Sequence, residues 1–552
     1  MTEICAFCNV KMWNGEKLSK SSCRNIQFST CCLNGKVFLS KISQLPPNLL
    51  RLFTGNHCSS FHFLTNIRAY NAALSFTSLG ININNNLSNS RSGNYTFQIN
   101  GQVHHRISSL LPTLGETPKF AQLYIHDSIN EIENRHNQVP FLDRCLLMEL
   151  QDIVHTYNPF ASQFLRVSSM IATGVPNISL NLKSTPNFDV RYCNKPTSSE
   201  IAVLLPGDGS DHIAHRDIIL KTLSGPLRRI NELHSSYDPL QYVLLFPRGD
   251  IGYHPSIHYR NSTNKYVTCR EYYTYRFMVR QDDENVILRS KRLFHQFIVD
   301  SYAKQKTLRL NFIRNNQSKL RAELYQGIHD SILEGDTNAD NLGRRIILPS
   351  SFTGGSRRHM HQLYQDAMAI VRCFGKPSLF ITFTCNPKWD EIMRELFPHQ
   401  TPNDHPDLVC RVFRQKLKCL KKDLLYYHVL GKVIAYIDVI EFQKRGLHCH
   451  MCLILDKSHR LPTADTYDDV VCSEIPNKIT ESKLFQIISN FNTHGPCGIT
   501  FPNSPCMIDG KCSKKYPKSF VDTSSIDKYG YPLYRPRNDG VTFQKKIKRI
   551  YI

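Results

Sequence analysis

From about Tyr272 onward, the apolar positions alternate between helical and strand periods. The stretch Arg292–Gly335 places apolar residues at Leu293, Phe297, Ile298 and Tyr302, and reads as a helix that is basic over its first two thirds. In RRHMHQLYQDAMAIVRCFG, one stripe carries Met360, Leu363, Ala367, Ile370, Val371 and Phe374, and Gly375 sits where a C′ glycine ends a helix. Ser378–Pro387 is β-branched and aromatic and stops at Asn386-Pro387, which predicts a strand. His405–Leu430 predicts a third helix, with Pro406 in its first turn and Leu408, Val412, Leu417, Leu420 and Leu424 inward. Lys432–Phe442 is apolar on both faces, as a central strand would be. A QKRG turn leads from it into a further strand, Leu447–Leu455. The order helix, strand, helix, strand–turn–strand predicts an α+β fold: a mixed or antiparallel central sheet with flanking helices.

Upstream the pattern is less regular. Ile81–Asn94 is rich in Asn and Ser and reads as a loop. Tyr237–Asp250 predicts a buried strand closed by Pro247 and Gly249. Nothing in the middle of the chain points to a particular chemistry.

Composition narrows the class. The chain has 552 residues, 41% hydrophobic and 21% charged, enough for a large core and about three or four domains. No run of 18 apolar residues occurs, so a membrane helix is not expected. MTEICAFCNV lacks a basic n-region and an apolar h-region, so secretion is not expected either. Lys and Arg number 68 against 46 Asp and Glu, a net charge of +22, which favours a polyanionic partner. The 19 cysteines are an odd count in a long chain without a secretion signal. They fit reduced thiols, some holding metal, in the nucleus or the cytoplasm.

His448-Cys449-His450 is the sharpest chemical feature. On a strand, residues i and i+2 share a face, so two imidazoles can grip one divalent cation and leave positions for a third ligand, water and substrate oxygen. Glu441 and Gln443, at the end of the neighbouring strand, are candidates for that third ligand. The competing reading is a hydrogen-bonded, inert pair. His494, Cys497, Cys506 and Cys512 fall within 19 residues among Gly and Pro turns, which suits tetrahedral zinc. At the N-terminus, Cys5-x2-Cys8 is a zinc half-site, with Cys31-Cys32 as its less usual second half. Either one of that pair ligates with a further residue, or a tight turn brings both inward. Arg357, Arg358, Lys444 and Arg445, with other lysines nearby, are candidates for phosphate contact, and Tyr426, Tyr427 and Trp389 for base stacking.

FITFTCNPKWDEI (Phe380–Ile392) and VIEFQKRGLHCHMCLIL (Val439–Leu455) resemble the first two motifs of the replication-initiator domain of Helitron transposases, which are HUH endonucleases. FGKPSLF, RVFRQKLKCL, the stretch from His494 to Phe520 and the Cys-x2-Cys start extend the resemblance over nearly the whole chain. It implies an HUH replication-initiator-like fold with small zinc-binding segments. It also implies Mg²⁺ or Mn²⁺ on His448 and His450, single-stranded DNA as partner, and a tyrosine nucleophile that becomes joined to the 5′ phosphate. Thr382 and Thr384, on the adjacent strand, would help orient the phosphate.

Two departures stand out. The family reads Gly-Leu-Pro-His-x-His, whereas Gly446-Leu447 runs straight into His448. The shorter turn either absorbs the deletion or slips the strand register. The family's nucleophilic tyrosines lie on a helix beyond the Cys-rich stretch. Here Tyr516 precedes a proline, and Tyr529, Tyr531 and Tyr534 sit in a Gly/Pro-rich turn. No G-x-x-x-x-G-K-[ST] occurs, so no nucleoside triphosphate is expected to be used.

The expected organisation is a Cys-rich zinc segment (1–60), a middle α+β region (61–265), the Helitron helicase-like N-terminal HUH domain (266–460) and a His/Cys-rich zinc extension (461–552) that stops before the catalytic tyrosines. The expected function is that of a rolling-circle transposase fragment that binds single-stranded DNA but has lost nicking and strand transfer. The alternative is a non-enzymatic, zinc-stabilised nucleic-acid-binding protein or transposon relic.

Overall fold

In the computed structural model, the residues described are most of 1–173, then 178–182, 202–206, 218–220, 228–317, 348–349, 352 and 357–536. Short internal exceptions include 22–25, 84–96 and 444–445. The chain is mixed α/β with small antiparallel sheets. It divides into two compact units. The first joins Met1–Gln362, Phe383–Lys418 and Ile440–Cys449; the second joins Leu363–Thr382, Cys419–Val439 and His450–Ile552.

The first unit opens with a hairpin, β1 (Glu3–Ile4) and β2 (Lys11–Met12), and then the helices α1 (Pro47–Thr54) and α2 (Ser60–Leu74). Gly55 ends α1 at φ 84°, a left-handed conformation that favours glycine. A three-stranded antiparallel sheet places β4 (His105–Ile107) between β3 (Ser78–Leu79) and β5 (Arg228–Arg229). Among the described residues, four helices lie between β4 and β5: α3 (Ala121–His126), α4 (Glu131–Gln138), α5 (Arg144–Tyr157) and α6 (Pro159–Ala172). Asn158 caps α6 by accepting from Phe160 N–H, with Pro159 in the first turn. α7 (Cys269–Arg276) and α8 (Arg292–Asn315) complete the core, in which Phe63, Tyr124, Leu150, Phe164, Phe294 and Phe297 are buried. The helix expected from Arg292 is observed to Asn315, and the remainder of that stretch lies outside the described residues.

Tyr237–Pro247 is buried, but it is not a strand. Tyr237–Gln241 is a short helix, and Leu245 and Phe246 both donate to Tyr242 O in the turn that follows. Pro239 suits a first helical turn, and an apolar run by itself does not separate a strand from a buried turn of helix.

Charge is also buried in this core. His105 Nε2 lies 2.8 Å from Asp300 Oδ2, which also accepts from Tyr242 OH at 2.7 Å. Burial pushes the Asp300 carboxyl up, but His105, Tyr242 and Lys304 outweigh it and hold the group below its usual range. Lys304 donates to Tyr273 OH at 3.0 Å and lies 3.5 Å from Asp238.

The remaining elements follow the expected order: α9 (Arg357–Phe374), β6 (Leu379–Thr384), α10 (Pro406–Leu425), β7 (Val433–Gln443) and β8 (Gly446–Leu455). Gly375 closes α9 at φ 98°, donating to Val371 O. The three strands are ordered β6-β8-β7. The central strand is thus β8, not the Lys432–Phe442 stretch expected there. β7 is an edge strand among the described residues, and its Val439, Ile440 and Phe442 are exposed. Apolar residues on both faces of a strand fix its chemistry, not its neighbours. In the first unit, Phe413 of α10 packs its ring 5.3 Å from Phe383 of β6. In the second, Lys421 of α10 bonds Asp438 of β7 at 2.9 Å.

Candidate functional site: a histidine strand and two thiol clusters

β6 alternates cleanly. Leu379, Ile381 and Phe383 are half-buried, whereas Phe380, Thr382 and Thr384 are exposed. β8 buries Leu447, Cys449, Met451 and Leu453 on one side of the pleat and carries His448 and His450 on the other, where His448, with its Nε2, is buried and His450 is half-buried. Thr384 Oγ1 lies 3.0 Å from His448 Nδ1, and Thr382 Oγ1 lies 3.0 Å from His450 Nδ1. The two pairs step two residues along each strand in opposite directions, the pattern of an antiparallel ladder. Cys385 N–H donates to Leu447 O in the same register. Phe380 stacks on His450 with centroids 5.7 Å apart. The missing proline therefore does not slip the strand. Gly446 carries φ 118° at its entrance, a region that favours glycine.

Glu441 lies exposed on β7. Gln443 ends that strand, but its side chain lies outside the described residues, as do those of Arg357 and Arg358 on α9. Lys444 and Arg445 lie outside the described residues altogether. Tyr426 and Tyr427 are exposed after α10, and Trp389 stacks on Phe383.

The two thiol clusters assemble. At the N-terminus, Asn9 at φ 55° turns β1 back so that Cys5 N–H donates to Val10 O, which folds Cys5 and Cys8 together. A tight turn with Leu33, Asn34 and Gly35 at φ 49°, 58° and 83° brings both Cys31 and Cys32 inward. Of the two arrangements open from the sequence, this is the second. The four sulfurs lie within 4.8 Å of one another, and all four residues are buried. Hydrogen bonds from Cys31 push the Cys5 and Cys32 thiols down. Four such groups in one compass favour thiolates only if a cation is shared among them.

Near the C-terminus, Asp509 and Gly510 at φ 49° and 73° form a two-residue hairpin between β9 (Met507–Ile508) and β10 (Lys511–Cys512). This hairpin sets Cys506 beside Cys512. With His494 and Cys497 their ligand atoms lie within 4.8 Å of one another, and all four residues are half-buried. Burial pushes the Cys512 thiol up, but backbone N–H bonds from Tyr516 and Lys514, together with His494, bring it down to about 6. Tyr516 stacks on His494, with ring centroids 4.1 Å apart. Both clusters offer the donor set and compactness of a structural zinc site.

Residues 272–453 match the family described as the Helitron helicase-like domain at the N-terminus. That match gives the class, a Helitron helicase-like domain, and the matched stretch contains β6, α10, β7 and His448-Cys449-His450. Over those residues the chain is similar to Helitron proteins, and its two thiol clusters flank the matched region on both sides. No curated protein matches it. No helix among the described residues is long and apolar enough to cross a membrane.

The sequence missed the buried pairs of the core. His105 and Asp300 are 195 positions apart, and no local pattern joins them.

Proposed function

We propose that the chain binds single-stranded DNA at a divalent-cation site on β8, with His448 and His450 as ligands to Mg²⁺ or Mn²⁺. The observation that carries this reading is the pair of threonine–histidine bonds at 3.0 Å. Metal-bound imidazoles are held by a partner on the other ring nitrogen. With Nδ1–H donated to a threonine, ligation falls to Nε2. The hydroxyl then keeps its own proton to donate to a phosphate oxygen, so Thr382 and Thr384 can serve ring and DNA together. Glu441 or Gln443 completes the shell. When bound, the cation polarises the phosphodiester and offsets charge building on it.

The same reading makes these 552 residues bind without cutting. Tyr516 is stacked on His494 in a thiol cluster. Zinc in both clusters is structural, and the nucleus is the compartment where such a protein meets its DNA. Anisotropy with a labelled single strand, with and without Mn²⁺, tests the proposal. Tightening by Mn²⁺ that disappears in His448→Ala and His450→Ala supports it, whereas identical binding in all three proteins opposes it. Incubation with Mn²⁺ and oligonucleotide should leave no covalent adduct.

A further inference from the structure

The first unit holds a cavity of about 740 Å³ whose walls come from the N-terminal Cys module, α7 and α10. That volume lies in the range of ligand pockets. Its lining is strongly basic. Arg411, Arg414 and Lys418 stand at i, i+3 and i+7 on α10, a spacing that puts them on one helical face. Lys17 and Arg270 line it from the other elements.

The two carboxylates in the lining are already engaged. Glu16 accepts from Arg411 through both oxygens, at 2.9 and 2.8 Å. Glu271 accepts from Thr268 N–H and Tyr259 OH. Lys17, Arg270, Arg414 and Lys418 are exposed, and none has an ion-pair partner among the described residues. The lining also has a surplus of donors. Arg411 Nη1 and Gln415 Nε2 are buried without an acceptor among the described residues. A buried unpaired donor is costly, and four unopposed cations repel one another. Thr30, Thr268 and Thr274 also line the cavity. Cations with hydroxyl and N–H donors, and no unengaged carboxylate, are the chemistry that recognises phosphodiester oxygens.

We propose that this cavity is a second DNA subsite, which grips the backbone phosphates of a single strand through Arg414, Lys418, Arg270 and Lys17. The inference rests on the chain being a DNA-binding protein, but it does not rest on the His448–His450 metal. Arg411 is the positioning residue: its pair with Glu16 and its stacking on Trp13, 4.8 Å from the ring centroid, hold the Cys module against α10.

The test uses the full chain with zinc in place, in buffer prepared without Mg²⁺ or Mn²⁺, and a fluorescein-labelled oligo-dT. Zinc content is checked before and after. Arg414→Ala/Lys418→Ala should weaken binding about 25-fold at 0.1 M salt and flatten the log K against log salt slope by about 1.4, two single-strand contacts at about 0.7 each. Arg270→Ala, on a different wall, should flatten it by about 0.7. The control Lys478→Ala/Lys483→Ala removes two exposed charges elsewhere and should bind as wild type. The melting temperature should not fall, because the exchanged residues hold no ion-pair partner among the described residues. Wild-type affinity and slope in the double variant would overturn the proposal, as would an equal loss in the control. Displacement of the DNA by a short acidic peptide at equal charge concentration would also overturn it, by assigning the cavity to a protein. Loss of Mn²⁺ stimulation alone, with these slopes intact, counts against the metal site and leaves the cavity standing.

Discussion

The N-terminal Cys5–Cys8–Cys31–Cys32 cluster and the proposed His448–His450 site would present metal ligands in two different ways. The cluster gathers four sulfurs within 4.8 Å, all buried, and its cysteines are continuous with the main hydrophobic core. The strand carries two imidazoles, each 3.0 Å from a threonine hydroxyl, with His448 buried and His450 half-buried. A closed four-ligand shell stabilises a fold, whereas a two-ligand face with open positions admits water and substrate. The closed cluster lies outside the family match and the open pair lies inside it. On the proposed reading, the difference separates what supports the fold from what binds the DNA phosphate.

Breaking the closed site should have the largest effect. Cys5→Ser should lower bound zinc from two ions per chain to one and cost about 4 kcal/mol or more, since metal binding there is coupled to folding. Metal analysis and denaturant melts measure both. Unchanged stability would make the cluster an ordinary group of core thiols.

Acid should sharpen the contrast next. Burial, and then the Lys304 ammonium, push the His254 imidazole down to about 4. A histidine depressed in the folded state is neutral there and protonated in the unfolded chain. Its contribution is complete above about 6.5 and is lost as pH falls toward 4. The loss amounts to about 3 kcal/mol over that window. His254→Asn should remove this part of the slope in pH-dependent melts.

At the open site, Thr384→Val should leave the melt unchanged and weaken Mn²⁺ by about 10- to 100-fold, the usual cost of losing an orienting partner. Calorimetric titration reads it directly. The smallest global effect belongs to the half-buried C-terminal cluster. Cys512→Ser should release one zinc and raise hydrogen exchange around 494–516, with less than about 1 kcal/mol lost from the first unit.

Much of the second half of the chain was legible because its elements are local. The α9 stripe and its closing Gly375, the strand ended by Asn386-Pro387 and the helix begun by Pro406 all follow from nearest-neighbour rules. Strand order was not legible. β7 has the composition of a central strand and lies at an edge, because order depends on partners and not on one segment's apolarity. Tyr237–Phe246 showed its burial but not its backbone. The His105–Asp300 and Lys304–Asp238 pairs and the basic cavity join residues from distant parts of the chain. For the histidines, the sequence supplied the pleat argument, and the structure added the threonine that holds each ring.

Manganese titration of the zinc-loaded protein, followed by electron paramagnetic resonance of the bound ion, addresses the open site most directly. The expected result is one Mn²⁺ per chain, nitrogen-coordinated in wild type, lost in both His448→Ala and His450→Ala, and perturbed by a single-stranded oligonucleotide. A Mn²⁺ signal that survives both substitutions, or shows no nitrogen coupling, would contradict it.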